Sequence, residues 1–194
     1  MPRIAVIIGS TRQGRFADYP ATWVTARLGA TEGVAVDVID LRDFPLPDFD
    51  GPPPAVHPRA YALPAVARLG ERLDAADGFI VLTPEYNHGY PAALKNAMDH
   101  TFVEWVRKPI AFVGWGNVGG SRAIEQLRQV AVEFEMAPVR HAVHVLPDVM
   151  RAVRTAPAPE DPALFASLDE RLERLVTDLL WWTVALREAR LRTV

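Results

Sequence analysis

The chain has 194 residues, of which 49% are hydrophobic and 23% charged, with a formal net charge of −3. That length fits one domain able to bury a core unaided, and the mildly acidic balance offers no overall footprint for nucleic acid or an acidic membrane surface. The absence of cysteine excludes disulfides, thiolate nucleophiles, cysteine-held iron–sulfur clusters and CxxC redox chemistry.

The opening MPRIAVIIGSTR enters a strand pattern at once. Its apolar run is too short for a secretory signal and no run in the chain is long enough to span a bilayer, so a cytoplasmic protein is expected. Residues 3–9 read as a buried strand, and 15–29 as a helix with Phe16, Trp23, Val24 and Leu28 as its apolar positions. VAVDVIDL (34–41) is strongly β-forming. Residues 42–64 hold seven prolines together with Phe44 and Phe49 and read as a long loop. A second helix follows over 61–76, then a strand at 79–83, a helix over 91–104 and a strand at 109–115 (PIAFVGW). A helix over 119–135 and a strand at 139–146 come next. Pro157, Pro159 and Pro162 mark a linker before a last helix, about 162–190, with Leu164, Leu168, Leu172, Leu175 and Leu179 at helical spacing.

Five strands alternating with five helices predict one α/β domain over 1–194, a parallel sheet with helices on both faces. Two strand orders remain: the flavodoxin-like 2-1-3-4-5 sandwich of three layers, and half of a larger dinucleotide-binding sheet. In the first, the switch point lies between strands 1 and 3, so the loops 9–15 and 84–91 flank one crevice. They are also the most specialised loops of the chain.

The first reads Gly9-Ser10-Thr11-Arg12-Gln13-Gly14-Arg15. Hydroxyls, guanidinium groups and backbone N–H groups at a helix start make an anion site suited to a phosphate monoester. The alternative is helix capping by Ser10 or Thr11 with solvated arginines. The second opens PEYNHGYPAALKNAMD (84–99). Pro84, Gly89 and Pro91 hold the loop rigid, and Tyr86 and Asn87 add an aromatic face and an amide, which suits a flat heteroaromatic ligand; the alternative is a tight surface turn. A third loop, Gly114-Trp115-Gly116-Asn117-Val118-Gly119, matches GxGxxG. It follows the fourth strand where a dinucleotide fingerprint follows the first, and Glu133 or Glu135 falls inside a helix instead of at a strand end. A backbone loop closing on the same ring is favoured over a nicotinamide site.

Together, GSTRxGR, PEYNxxxPAALKNAMD and GWGNVGGSR resemble the NADPH-dependent FMN reductase family of flavodoxin-like proteins, over roughly 3–146. The resemblance implies FMN as cofactor, NADPH or NADH as co-substrate, and hydride transfer on to a quinone-like or other small acceptor. It places the phosphate on Ser10, Arg12, Gly14 and Arg15, the ring edge along Pro84, Glu85, Tyr86 and Asn87, and the pyrimidine side by Trp115 and Gly116 to Gly119. Relatives often carry Ser where Arg15 stands and Ser-Tyr-Gly-Gly in place of Gly114-Trp115-Gly116-Asn117. A flavin-binding electron carrier without NAD(P)H turnover is the alternative function.

The cofactor carries this chemistry, so no protein nucleophile or metal is required. His88 is a candidate proton relay, set against a plain solvent-facing residue. His141 and His144, three apart on a strand, face opposite sides and do not pair for a metal. Family relatives form dimers and tetramers. Trp181-Trp182 and the 102–106 stretch (Phe102, Val103, Trp105, Val106) are the candidate contacts for a homodimer or homotetramer.

Overall fold

The structure is a computed structural model that describes residues 1–55 and 58–192. β1 (Arg3–Ile8), β3 (Gly78–Pro84) and β4 (Pro109–Trp115) are buried along almost their full length. Strands covered on both faces need continuous apolar runs, and these three have them. β2 (Ala35–Asp40) and β5 (Ala137–Val145) are only partly covered. They form the edges of a five-stranded parallel sheet of order β2-β1-β3-β4-β5. The flavodoxin-like alternative is therefore the observed one.

On one face lie α1 (Asp18–Gly29) and α6 (Asp169–Arg192), which bury Trp23, Val24, Leu28, Leu172, Leu175 and Leu179 against Ile4, Val6 and Val113. On the other, α2 (Pro64–Ala75), α3 (Ala92–Asp99) and α4 (Ser121–Glu133) bury Leu69, Leu73, Leu94, Met98 and Leu127 against Ile7, Phe79 and Phe112. The three-layer sandwich is complete.

Several elements differ from those read from periodicity: the helices expected over 15–29 and 61–76 start at Asp18 and Pro64, and the strand expected over 139–146 starts at Ala137. The helix expected over 91–104 stops at Asp99, and the following turns send Thr101, Glu104 and Trp105 into the core instead. Trp105 packs on Phe79 at 4.7 Å and donates its indole N–H to Thr101 Oγ1 (2.8 Å), so it is core and not a free contact surface. The helix expected over 119–135 ends two residues early. Glu135 takes φ 52° outside it, its N–H reaching Val132 O (3.0 Å) while Met136 N–H reaches Ala131 O (2.9 Å), the paired bonds of a Schellman stop. The last helix starts at Asp169, preceded by a 3-10 turn at Pro162–Leu168. Finally, Pro147–Thr155 forms an additional helix, α5, where no element was expected. Two neighbouring aromatics anchor this corner: Phe165 stacks on Trp23 at 4.9 Å, and Trp23 Nε1 donates to Asp169 Oδ1 at 2.8 Å. The long proline-rich loop is irregular after a short 3-10 turn (Leu41–Asp43), and Val56 and His57 within it lie outside the described residues. Asn96 pins it, donating to Pro47 O (2.8 Å) and accepting from Phe49 N–H (2.9 Å).

Lys108 is buried, and its ammonium donates to the carbonyls of Leu73 and Asp74 at the end of α2, both at 2.9 Å. Burial pulls its pKa down to about 8, against the pull of Asp74. Between about pH 8 and the ordinary lysine value the unfolded chain holds the extra proton, so folding stability rises with pH in that window. Urea denaturation at pH 8 and 9.5 will show wild type gaining up to about 1.4 kcal/mol per pH unit relative to Lys108→Met. Parallel curves for the two proteins would remove the assignment.

Candidate active site

The carboxyl ends of β1, β3 and β4 open onto a crevice of about 290 Å³ lined by Arg12, Gly14, Arg15 and Phe16 on one side and Pro84, Glu85, Tyr86, Trp115 and Gly116 on the other. Met150 and Arg154 of α5 complete the wall. In a 2-1-3-4-5 sheet the chain leaves β1 toward β2 and leaves β3 toward β4, in opposite directions, and the gap between those two loops is a geometric consequence. A direct contact spans it: Ser10 Oγ and Tyr86 Oη are 3.1 Å apart.

The first loop is held by Arg15, whose side chain is almost wholly buried. Its Nε and Nη2 donate to Asp18 Oδ1 (2.9 and 2.6 Å), Nη1 donates to Asp40 Oδ1 (2.8 Å), Nη2 also to Asp40 Oδ2, and Nη1 to the Ser10 carbonyl. Burial opposes the Asp40 charge, but the bonds from Arg15 and Arg42 prevail and hold its carboxyl well below the usual carboxylate range. All five guanidinium N–H groups are engaged. Arg15 thus shapes the loop from behind, and Ser10, fully buried, lies beneath the crevice surface. Arg12 differs. It is exposed on the crevice wall and its side chain has no hydrogen-bond or ion-pair partner among the described residues.

The second loop is a tight reverse turn. Tyr86 N–H reaches Gly89 O (2.8 Å) and Gly89 N–H reaches Tyr86 O (3.0 Å), with Asn87 at φ 50° and His88 at φ 70° between them. Two consecutive positive φ values match a type I′ turn, which favours Asn at its first central position. Asn87 is therefore accounted for by backbone geometry, and it does not line the crevice. The turn is clamped to the start of α4. Glu85, whose side chain is 4% exposed, accepts from Arg122 Nε (2.6 Å) and backbone N–H (3.2 Å) and pairs with Nη2. Burial would raise the Glu85 carboxyl, yet these bonds keep it below its ordinary value. Arg122 Nη1 also donates to His88 Nε2 (3.0 Å), and Gln126 donates to the His88 carbonyl (3.0 Å). His88 does not line the crevice either.

The third loop supplies close packing. Gly116, at φ 144°, stands where a side chain would press on Glu85 Cβ at 3.2 Å. At Gly119 (φ 65°) a Cβ would sit 2.6 Å from that of His144, so this glycine seats α4 against β5 and lies off the crevice. The GxGxxG spacing is thereby explained as packing. Trp115 is buried, touches Phe16 at 5.8 Å and accepts the Glu85 N–H through its carbonyl (2.9 Å). His141 meets Asp178 of α6 at 3.4 Å while His144 Nδ1 meets Gly119 O at 2.9 Å. The two rings face opposite sides of the sheet.

A larger hollow of about 570 Å³ lies under the proline-rich loop, between Phe49, Tyr61, Val66 and His100. It is mostly apolar and presents no arginine or lysine, so the smaller, basic crevice is the place for an anionic ligand.

The profile of the NADPH-dependent FMN reductase family matches residues 2–149. The chain belongs to that family. An NAD(P)H-dependent FMN reductase of Schizosaccharomyces pombe is 39% identical over 146 residues, covering 73% of this chain and 72% of that protein. A 2-hydroxy-1,4-benzoquinone reductase of a Burkholderia species is 31% identical over 144 residues, covering 69% and 72%. Among solved structures, the flavoenzyme NAD(P)H:(acceptor) oxidoreductase FerB of Paracoccus denitrificans superposes with a TM-score of 0.63 at 21% identity, over 92% of this chain and 99% of that one. The reductase is accordingly an FMN-dependent NAD(P)H oxidoreductase, which decides against the carrier alternative. The donor set fits the cofactor: an unpaired guanidinium at one end of the crevice and a rigid, glycine-flanked wall at the other. Sequence reasoning missed Arg122, Asp40, Met150 and Arg154. The first two act through partners distant along the chain, and the last two sit on the unexpected helix.

Proposed function

We propose that the crevice between the first and second loops is the FMN site of this reductase, and that its electrons pass to a quinone-like small molecule. In this reading Arg12 pairs with the phosphate, Gly14 lets the loop turn close to it, Pro84 to Tyr86 lie along the ring edge, and Trp115 and Gly116 floor the pyrimidine side. Ser10, Arg15, Asn87 and Gly119 shape these walls without touching the ligand. The observation that carries the assignment is Arg12, an exposed guanidinium without a partner on a crevice whose other loop arginine is fully engaged.

Bound FMN supplies the hydride chemistry. The chain's part is to bind, orient and exclude: the Glu85–Arg122 clamp fixes the ring wall, and the buried Arg15 pair fixes the phosphate loop. No side chain on the wall is asked to act as an indispensable acid or base. The quinone-like acceptor is supported by the Burkholderia relative, which is named for a benzoquinone.

Arg12→Ala will weaken FMN binding by about 1.5–3 kcal/mol, the range of a hydrogen bond to a charged group, and leave riboflavin binding unchanged. Titrating apo-protein with both flavins checks it, and equal losses for the two would sink the phosphate role.

The whole chain is read as one flavin-binding domain of a cytoplasmic homo-oligomer that engages neither nucleic acid nor membrane. No helix among the described residues is long and apolar enough to cross a membrane. Trp181 and Trp182 support the oligomer, standing 65% and 40% exposed on α6 and touching each other edge-on at 5.1 Å. An exposed apolar pair of that size marks a contact surface. Sedimentation at micromolar concentration will give a dimer or tetramer; a species near 21.5 kDa would exclude it.

A further inference from the structure

We infer that Arg154, which lies beyond the last residue matched by the family profile, is a second phosphate-binding cation and sets a preference for a phosphate monoester dianion. The inference rests on the crevice being the FMN site.

The charge balance of the crevice leads to this assignment. Four charged side chains line it: Arg12, Arg15, Glu85 and Arg154. Arg15 is matched by Asp18 and Asp40, and Glu85 by Arg122. Arg12 and Arg154 remain, and neither side chain has a hydrogen-bond or ion-pair partner among the described residues. Two unmatched positive charges therefore face one crevice. A phosphate monoester carries about −1.5 to −2 at neutral pH, whereas a diester carries one charge per phosphate. The pair is matched to the monoester.

Geometry gives the exposed Arg154 side chain an anchor. Its guanidinium lies over the Phe16 ring, with Cζ 5.6 Å from the centroid. Phe16 is itself 2% exposed, held between Tyr19 at 5.5 Å and Trp115 at 5.8 Å. A cation–π contact on an aromatic face restrains the guanidinium while leaving its N–H groups free to bind an oxyanion. The supporting helix is held as well. Val153, adjacent to Arg154, is fully buried in the core on the α1 side, with Val149 and Met150 packed against it. Phe165, stacked on Trp23, closes the same corner. Ordering this side chain on ligand binding therefore costs less entropy than ordering an unanchored arginine.

The test titrates apo-protein with FMN and riboflavin for wild type, Arg12→Met, Arg154→Met and Arg154→Lys. Methionine keeps an apolar stem over Phe16, so folding is preserved, and thermal melts check it. Arg154→Met is expected to lose FMN affinity about tenfold or more, to keep riboflavin affinity, and to be rescued in part by Arg154→Lys. Its FMN affinity will also fall less steeply than that of wild type below about pH 6, where the phosphate dianion takes up a proton and becomes a monoanion. Equal losses for FMN and riboflavin, or no loss, would overturn the inference. If Arg12→Met alone abolishes the preference for FMN over riboflavin, the crevice remains the flavin site and Arg154 is excluded from it. If neither variant changes that preference, the crevice assignment itself fails and takes the inference with it.

Discussion

Arg15→Met will destabilise the fold by about 3 kcal/mol, the lower part of the range for removing one partner from a buried ion pair. The guanidinium lies between Asp18 and Asp40 with all its donors engaged, so its loss leaves the 84%-covered Asp40 carboxylate (side chain 16% exposed) without its main partner. The cost stays near the lower end because Arg42 still reaches Asp40 through Nη2 at 2.8 Å and backbone N–H at 3.0 Å. The sign with pH follows from Asp40. Its folded pKa is depressed, so the stabilisation is present above the unfolded carboxylate value and is lost as the solution becomes more acidic. Urea denaturation at pH 7 will therefore separate the two proteins widely, and the gap will begin to narrow only below about pH 4, the ordinary carboxylate value, with most of it still present at pH 3. Arg15→Met combined with Asp40→Asn will recover part of the loss, because the orphaned charge goes with it. An Arg15→Met protein as stable as wild type at pH 7 would show the cluster to be energetically idle. Flavin affinity gives a second readout: displacement of the whole loop weakens riboflavin as well as FMN, unlike the phosphate-specific loss predicted for Arg12→Ala.

That contrast marks where the sequence is readable and where it is not. Central strands are legible because burial on both faces demands unbroken apolar runs such as FIVLT and PIAFVGW, and the alternation of elements then leaves two strand orders to choose between. The switch-point loops are legible for the same reason. Which arginine of the first loop faces a ligand is not. Arg12 and Arg15 are chemically identical in the sequence, and it is Asp18 together with Asp40, 25 residues away at the end of β2, that turns one inward. Asn87 and His88 illustrate a different limit: the PEYNHG string reads as ligand chemistry, while the structure spends both on a reverse turn with positive φ. The missed helix α5 is short, nine residues, and of its apolar face only Val153 is fully buried, with Val149 and Met150 half-buried a turn earlier; that spacing and Leu146-Pro147-Asp148 do carry the signature of a helix start. The overextended α3 has the opposite cause. Phe102 and Trp105 continue its spacing, but Trp105 is drawn toward Phe79 and Phe134 by turns that no local pattern encodes.

Inserting one residue between Asn87 and His88 is expected to slow reduction of bound FMN by NADPH about a hundredfold, while His88→Ala retains most of the wild-type rate. The difference follows from what each change displaces. In the turn, Tyr86 and Gly89 exchange backbone hydrogen bonds at 2.8 and 3.0 Å, and Glu85 immediately before it is clamped by Arg122. One extra residue breaks the exchange and shifts Glu85, Tyr86 and the Tyr86–Ser10 contact together, and a misplacement of about 1 Å at a reacting centre can cost a hundredfold. Removing the His88 ring deletes one contact to Arg122 Nη1, and Arg122 keeps its bonds to Glu85 through Nε and backbone N–H. Protons for a quinone oxygen can come from water, so no acid is lost. His88→Gly gives an internal control: it relieves the φ 70° position, where glycine is favoured by about 1 kcal/mol, and should match His88→Ala in rate while melting higher. Stopped-flow bleaching of the flavin under argon reads the hydride step directly, with flavin occupancy measured beforehand. If His88→Ala is slowed a thousandfold with FMN still bound, the ring is a catalytic group; if the insertion is tolerated, the 84–89 loop does not position the flavin.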